Sequence, residues 1–177
     1  MARLRLSVLM IVPTLLTTGC MGSTGGGARP GAVAASASIV PMAAAAYFAL
    51  ASSIDLFEIR SAQMALERSA DQRNRTIAQS AIESANGTSA QLSMAGRRLD
   101  MLPSATLLPE QQLLLDQLAA SNNFDETYRT QQLRVNREAV KLHGDFAKGG
   151  QSPTLRPVAR NAEEVYRRNL TMVGAGH

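Results

Sequence analysis

Ala78, Ala81, Ala85, Thr88, Leu92, Ala95 and Leu99 follow one another in steps of three and four residues. An α-helix brings positions at that spacing onto one face, whereas a strand would need a step of two. Most members of the ladder are small, so a neighbouring helix can approach closely along it. The rest of the chain agrees. Alanine, leucine, glutamine, arginine and glutamate, all good helix formers, are frequent. Aromatic residues make up 4% and tryptophan is absent, which leaves few of the side chains that favour strands.

The ladder belongs to the second of four long helical segments. Residues 42–70 form the first, with Tyr47, Leu50, Ile54, Phe57 and Met64 spaced for one face and Phe48, Ala51, Asp55, Glu58 and Ala62 on the face beside it. Residues 71–101 form the second, which Pro103 ends. Pro109, at the head of "PEQQLLLDQLAA", opens a short connecting helix. Residues 122–147 form the third, begun by Asn122 or Asn123 and closed before Gly149 and Gly150. Ser152 caps and Pro153 opens the fourth, whose expected seam is Leu155, Val158, Ala162, Val165, Asn169 and Met172. The expected fold is all-α, a four-helix bundle with a short connecting helix between its second and third members.

The N-terminal part has a different character. Arg3 and Arg5 precede the apolar stretch "LSVLMIVPTLL", and Thr17, Thr18 and Gly19 lead into Cys20, the only cysteine. A charged start, an apolar centre and a small-residue cleavage point make a secretory signal over residues 1–19. The apolar centre falls well short of the ~20 residues needed to span a bilayer. The cysteine beside the cleavage point resembles a bacterial lipoprotein signal, in which the thiol is acylated and becomes the new N-terminus. An ordinary signal with a chance cysteine is the alternative, and Thr17 stands where leucine is commonest. Two or more acyl chains make stable anchoring, which one chain does not. Residues 20–41 then read as the acylated cysteine and a tether of small residues, and residues 42–174 as the folded domain. A flexible tether of that length reaches roughly 25 Å root-mean-square. Residues 30–54 carry no charge, yet Ala, Ser, Gly and Pro prevail there, so they are expected to be tether and helix start rather than a membrane span.

Charge narrows the partners. Of 18 basic residues Arg3 and Arg5 lie in the signal, leaving 16 against 14 acidic ones, a net +2 for the remainder. That excess is too slight to argue for nucleic acid, despite an isoelectric point near 9.8. The doublets Arg97-Arg98 and Arg167-Arg168 suit solvated helix ends, or alternatively anionic lipid head groups.

Several stretches carry a resemblance that covers the whole bundle. They are "YFALASSIDLFEIRSAQMAL", "TIAQSAIESANGTSAQL", "LPSATLLPEQQLLLDQL" and "NNFDETYRTQQLRVNREAVKLHGDFAKGGQSPTLRPVA", with Phe124, Asp125 and Tyr128 as the most specific piece. Residues 47–173 resemble a bacterial family of exported, ferritin-like domains catalogued as a domain of unknown function. The resemblance implies a metal-like constellation inside the bundle, made of a glutamate, an Asp-His pair and two further histidines. Here Glu58 matches the glutamate, while Ser84 and Ala85, Asn136 and Asn169 stand in the other places. All three histidines are missing from this vestigial site. An alanine offers no donor atom, and an amide oxygen is a weak ligand for transition metals.

The remaining chemistry is sparse. No glutamate has a histidine three residues later, the pairing that di-iron bundles use. The two histidines are His143, expected as a packed or surface residue, and His177. Asp55 and Glu58, three positions apart, could share a site as an acid pair, but the expectation is that they face solvent or pair with arginines. No catalytic set, cofactor or metal is therefore expected. The sequence points to a non-enzymatic cell-envelope lipoprotein, held to the membrane through Cys20, whose bundle binds a protein or small molecule or serves structurally. Met21 after the cysteine fits the outer membrane, facing the periplasm, in a Gram-negative host. The alternative is a ferritin-like metal-binding or oxidative-stress protein.

Overall fold

The computed structural model describes residues 41–175. They form α1 (Ala44–Arg68), α2 (Gln72–Arg97), α3 (Pro109–Ala120), α4 (Phe124–Gly149) and α5 (Arg156–Gly174), with no strand among the described residues. The expected signal at 1–19, Cys20, the tether up to residue 40 and His177 lie outside the described residues.

Short turns make α1/α2 and α4/α5 antiparallel pairs, and the pairs meet through α2 against α5 and α1 against α4. The ring order is thus α1, α2, α5, α4, with α1 and α5 on a diagonal and α3 laid across the outside of α1 and α4. This is the all-α bundle that the periodicity predicts, with 25, 26, 26 and 19 residues in the four long helices and 12 in the short one. No described helix is long and apolar enough to cross a membrane.

The helix ends have local causes. Asp71 caps α2, its Oδ1 accepting from the amides of Arg73 at 2.7 Å and Asn74 at 3.3 Å. The α2 helix stops at Arg97, not at residue 101, because the chain hooks back: the amides of Leu99 and Met101 both donate to the Gly96 carbonyl, at 2.8 and 2.9 Å. Asp100 completes the hook with φ of 54°, in the left-handed region that aspartate tolerates. Gly96 is required there, since a Cβ would lie 2.5 Å from the Phe48 ring and 2.8 Å from the Met101 carbonyl. Asn123 precedes α4 as expected, but its amide bonds the Glu126 carboxylate instead of capping the backbone. The α4 helix runs on through Gly149. Ser152 Oγ accepts from the Leu155 amide at 3.3 Å, so it caps a turn over 153–155; α5 itself starts at Arg156, with Pro157 in its first turn.

Six of the seven ladder residues of the second segment, Ala78 to Ala95, are buried, and Leu99 lies half-buried past the helix end. The expected α5 seam needs correction. Leu155, Ala162 and Asn169 are inside, but Ala159, Tyr166 and Val173 take the places given to Val158, Val165 and Met172. Steps of three and four fit both ladders equally. At the observed rotation Tyr166 is fully buried and its phenol donates to Asp55. Apolar clusters fill both ends of the bundle, around Tyr47, Phe48 and Phe146 at one and around Ile77, Leu118 and Tyr128 at the other. Each large side chain so buried contributes about 1.5–3 kcal/mol. The middle layer, around Phe57, Val135 and Tyr166, also holds most of the polar side chains described next.

Candidate functional site

Asp55 and Glu58 do not face solvent and do not pair with arginines. They are 2% and 0% exposed, in the interior of the bundle. The α1 helix is flanked by α2 and α4 and covered by α3, so no face of it is left wide enough for both carboxylates to reach water.

Asp55 Oδ1 accepts two hydrogen bonds, from Thr88 Oγ1 at 2.7 Å and from Tyr166 Oη at 2.6 Å. One carboxylate oxygen thereby ties α1 to α2 and, across the diagonal, to α5. Burial pushes this carboxyl up to about 7, and the two donors offset only part of that rise. Glu58 has less support. Its Oε1 meets Asn136 Nδ2 at 3.4 Å and its Oε2 has no partner. Burial pushes Glu58 up to about 8, with the charge of nearby Asp55 adding to the rise. Both acids are therefore held largely protonated below neutral pH, the low-energy solution for carboxyls without a cation.

The α4 helix supplies amides and an imidazole. Asn136 Nδ2 donates chiefly to the Gln132 carbonyl, at 2.8 Å, and Gln132 Nε2 donates to Ser61 Oγ at 3.3 Å. The buried His143 is hydrogen-bonded through Nδ1 to Tyr47 Oη at 2.9 Å, and its ring stacks on Tyr166 with centroids 5.3 Å apart. Burial pushes His143 down to about 4, so the ring is neutral. Its Nε2 has no partner, nor has Tyr128 Oη, whose phenol is raised above its ordinary value by burial and by Glu58.

The positions singled out by the resemblance fall into two pairs. Glu58 lies against Asn136, and Ser84 Oγ donates to Asn169 Oδ1 at 3.0 Å. Ala85 is fully buried beside them. No bond joins one pair to the other. The sequence assigns no partner to Asp55. In the sequence Thr88 is marked only as the single hydroxyl on an alanine ladder, and Tyr166 lies one residue off the expected α5 seam. Tyr47 and His143, 96 residues apart, carry no sequence signal of their contact.

The resemblance implies a metal, and the residues present do not fit one. Among the described residues no group of three or more His, Cys, Asp or Glu is placed to hold a metal ion. The unpartnered candidate atoms are Glu58 Oε2, Asn136 Oδ1 and His143 Nε2, and the structure does not group them with a further His, Cys, Asp or Glu into a metal site. Chemically the cluster can hold protons and cross-link helices. The cluster is also closed, since Asp55, Glu58, Asn136 and His143 are all buried. A cleft between α2 and α5, about 270 Å³, is lined by Ser84 and Thr88, the partners of Asn169 and Asp55.

Neither a curated protein nor a solved structure matches the chain. A family model described as Domain of unknown function (DUF4142) matches residues 28–175, which takes in the whole described bundle. The chain belongs to the DUF4142 family.

Proposed function

We propose that the protein is a non-enzymatic lipoprotein of the bacterial cell envelope, a helical bundle held on a membrane by acylated Cys20 and acting as a binding or structural module. The observation that supports the non-enzymatic part is the burial of the polar core, with Asp55, Glu58, Asn136 and His143 all closed off from solvent. Asp55 is taken up by Thr88 and Tyr166 and His143 Nδ1 by Tyr47 inside the bundle, while Glu58 Oε2, Asn136 Oδ1 and His143 Nε2 are buried there without a partner. An acid, base or nucleophile must come within hydrogen-bond reach of its substrate, and these groups lie behind packed side chains. The anchoring part is supported by the charged start, the short apolar run and the single cysteine of the sequence. With Met21 after that cysteine, the outer membrane facing the periplasm is the residence proposed for a Gram-negative host.

Fatty-acid labelling of cells producing the natural chain and Cys20→Ser tests the anchor. The natural chain takes up label and fractionates with membranes, and Cys20→Ser takes up none. A natural chain that stays unlabelled and soluble refutes it.

A second reading, a ferritin-like metal-binding or oxidative-stress protein, draws on one observation: Glu58 Oε2 and Asn136 Oδ1 are buried, unpartnered and adjacent. Two oxygens, one of them an amide, are a poor set for iron, manganese or zinc, which favours the first reading.

A further inference from the structure

The two ends of the bundle differ in charge. The Gln151 amide donates to the Met42 carbonyl at 3.1 Å, so the start of α1 sits beside the turn between α4 and α5. The antiparallel pairing places the C-terminal end of α2 and the N-terminal end of α5 at this same end. Arg97, Arg98, Lys148 and Arg160 are exposed there and Arg156 is half-buried, none of them in an ion pair among the described residues. The acids nearby are Asp100, which is exposed, Asp145, which is held by Lys141, and, one turn beyond Arg160, Glu163, which is held by Arg167, and Glu164. From Ala44 to Ile54 the first turns of α1 carry no charge at all.

At the opposite end the cations are engaged. Arg68 donates to the Ala119 carbonyl, Arg73 to the Val173 carbonyl, Arg75 to the Leu66 carbonyl, and Arg129 pairs with Asp71. Glu67, Asp125 and Glu126 lie among them.

Helix electrostatics explain only part of the basic end. Arg97, Arg98 and Lys148 suit the negative C-terminal ends of α2 and α4, but Arg156 and Arg160 stand in the first turns of α5, where the dipole disfavours cations. Apolar surface is interspersed with the charge. Leu102 is 80% exposed and Met94 55%, and an open cleft of about 540 Å³ beside Arg98 is lined by Met94, Pro153, Pro157 and Val158. Cations flanking exposed apolar side chains are the composition of an interfacial surface.

We propose that this end of the bundle, centred on Arg97, Arg98, Lys148, Arg156 and Arg160, docks onto the anionic head groups of a phospholipid membrane. The orientation rests on the lipoprotein reading, because the chain enters the bundle at this end and an anchor upstream of α1 brings that end towards the bilayer. Charge complementarity does the rest. Each lysine or arginine near an anionic bilayer strengthens partitioning about fivefold. The exposed leucine and methionine then reach the boundary between head groups and acyl chains, and the basic end is held flat on the surface.

The test uses the full chain carrying Cys20→Ser, which has no acyl group, so its outcome does not depend on whether Cys20 is modified in cells. Binding is measured by co-sedimentation with phosphatidylcholine vesicles with and without phosphatidylglycerol. The protein is expected to bind the phosphatidylglycerol vesicles and to be released at about 1 M salt, where screening acts within about 3 Å. Arg97→Glu/Arg98→Glu/Lys148→Glu should weaken that binding by about a hundredfold or more. Arg97→Gln/Arg98→Gln, a milder change, should weaken it about 25-fold, with circular dichroism showing both variants folded. Arg137→Glu/Arg168→Glu, at exposed cations away from this end, should leave it unchanged. Equal binding to neutral vesicles, or equal losses in the Arg137/Arg168 variant, would overturn the proposal. So would binding of an acidic protein or nucleic acid alone. A natural chain that takes up no fatty acid in cells would sink the anchor and leave the vesicle result standing.

Discussion

Tyr166 donates its phenolic hydrogen to Asp55 across 2.6 Å, joining α5 to α1 over the diagonal of the ring. Those two helices share no direct backbone packing, so the bond is a tie through the centre of the bundle. It goes with the α5 rotation that buries the Tyr166 ring.

Tyr166→Phe keeps the ring and removes the tie. At pH 8, where Asp55 is mostly ionised, the change should cost about 1.5–3 kcal/mol, as for hydrogen bonds to charged groups. At pH 5 the carboxyl is protonated and the cost should fall to about 0.5–1.5 kcal/mol. Urea unfolding of both proteins at the two pH values measures this. An equal cost at both would contradict the placement of an ionisable partner at Asp55.

The buried acids set an unusual dependence of stability on pH. In the unfolded chain Asp55 and Glu58 lose their protons near about pH 4, whereas the folded protein keeps them until about 7 and 8. Across that window the folded state binds more protons, so stability falls as pH rises, by up to about 1.4 kcal/mol per pH unit for each group. His143 acts oppositely. Folded it protonates only near about 4, so between about 4 and 6.5 the unfolded chain binds the extra proton and stability rises with pH. The two trends partly cancel below about pH 6.5, and the decline is steepest from there to about 7. Melting temperature should drop most over that interval, and Glu58→Gln should melt higher than the natural protein at pH 8. A flat profile from pH 6 to 8 would contradict the burial of the acid pair.

Gly96→Ala tests the hook that ends α2. The added methyl would meet the Phe48 ring at 2.5 Å and the Met101 carbonyl at 2.8 Å. Overpacking of this kind costs about 1–3 kcal/mol. Denaturant midpoints report it, and a neutral substitution would mean that the loop after Arg97 is free to move away.

The helical segments were legible because their period is written in alanines and leucines, and the buried positions of α2 could be named one by one. The α5 seam was not, because Leu155, Ala162 and Asn169 leave two ladders one residue apart, and only a partner on α1 distinguishes Val165 from Tyr166. The same reason hid the polar core. Asp55 and Glu58 read as surface acids because a carboxylate alone is costly inside a protein. Thr88 is 33 residues away from Asp55 and Tyr166 is 111, distances at which sequence spacing says nothing about contact.

Placing histidine at the positions named by the resemblance tests whether this core can be made to hold a metal. Ala85→His/Asn136→His/Asn169→His should bind zinc or cobalt, since imidazole is a far better ligand than an amide or a methyl group. Ala85 is fully buried in a seam of small residues, so the metal-free variant should be less stable by about 1–3 kcal/mol from overpacking there. Added metal should recover part of the loss by binding the folded state alone. Thermal melts of the variant with and without metal measure both effects.

The most direct test of the proposal that this core holds no metal is the melting temperature of the natural chain with and without iron(II), manganese(II) or zinc(II). A metal present at about 100 times its Kd adds about 2.7 kcal/mol to the stability of a folded state that binds it. The core of Asp55, Glu58, Asn136 and His143 predicts no such gain with any of the three metals, and no metal retained after dialysis. A rise of several degrees with one of them, together with one metal ion retained per chain, would contradict the account.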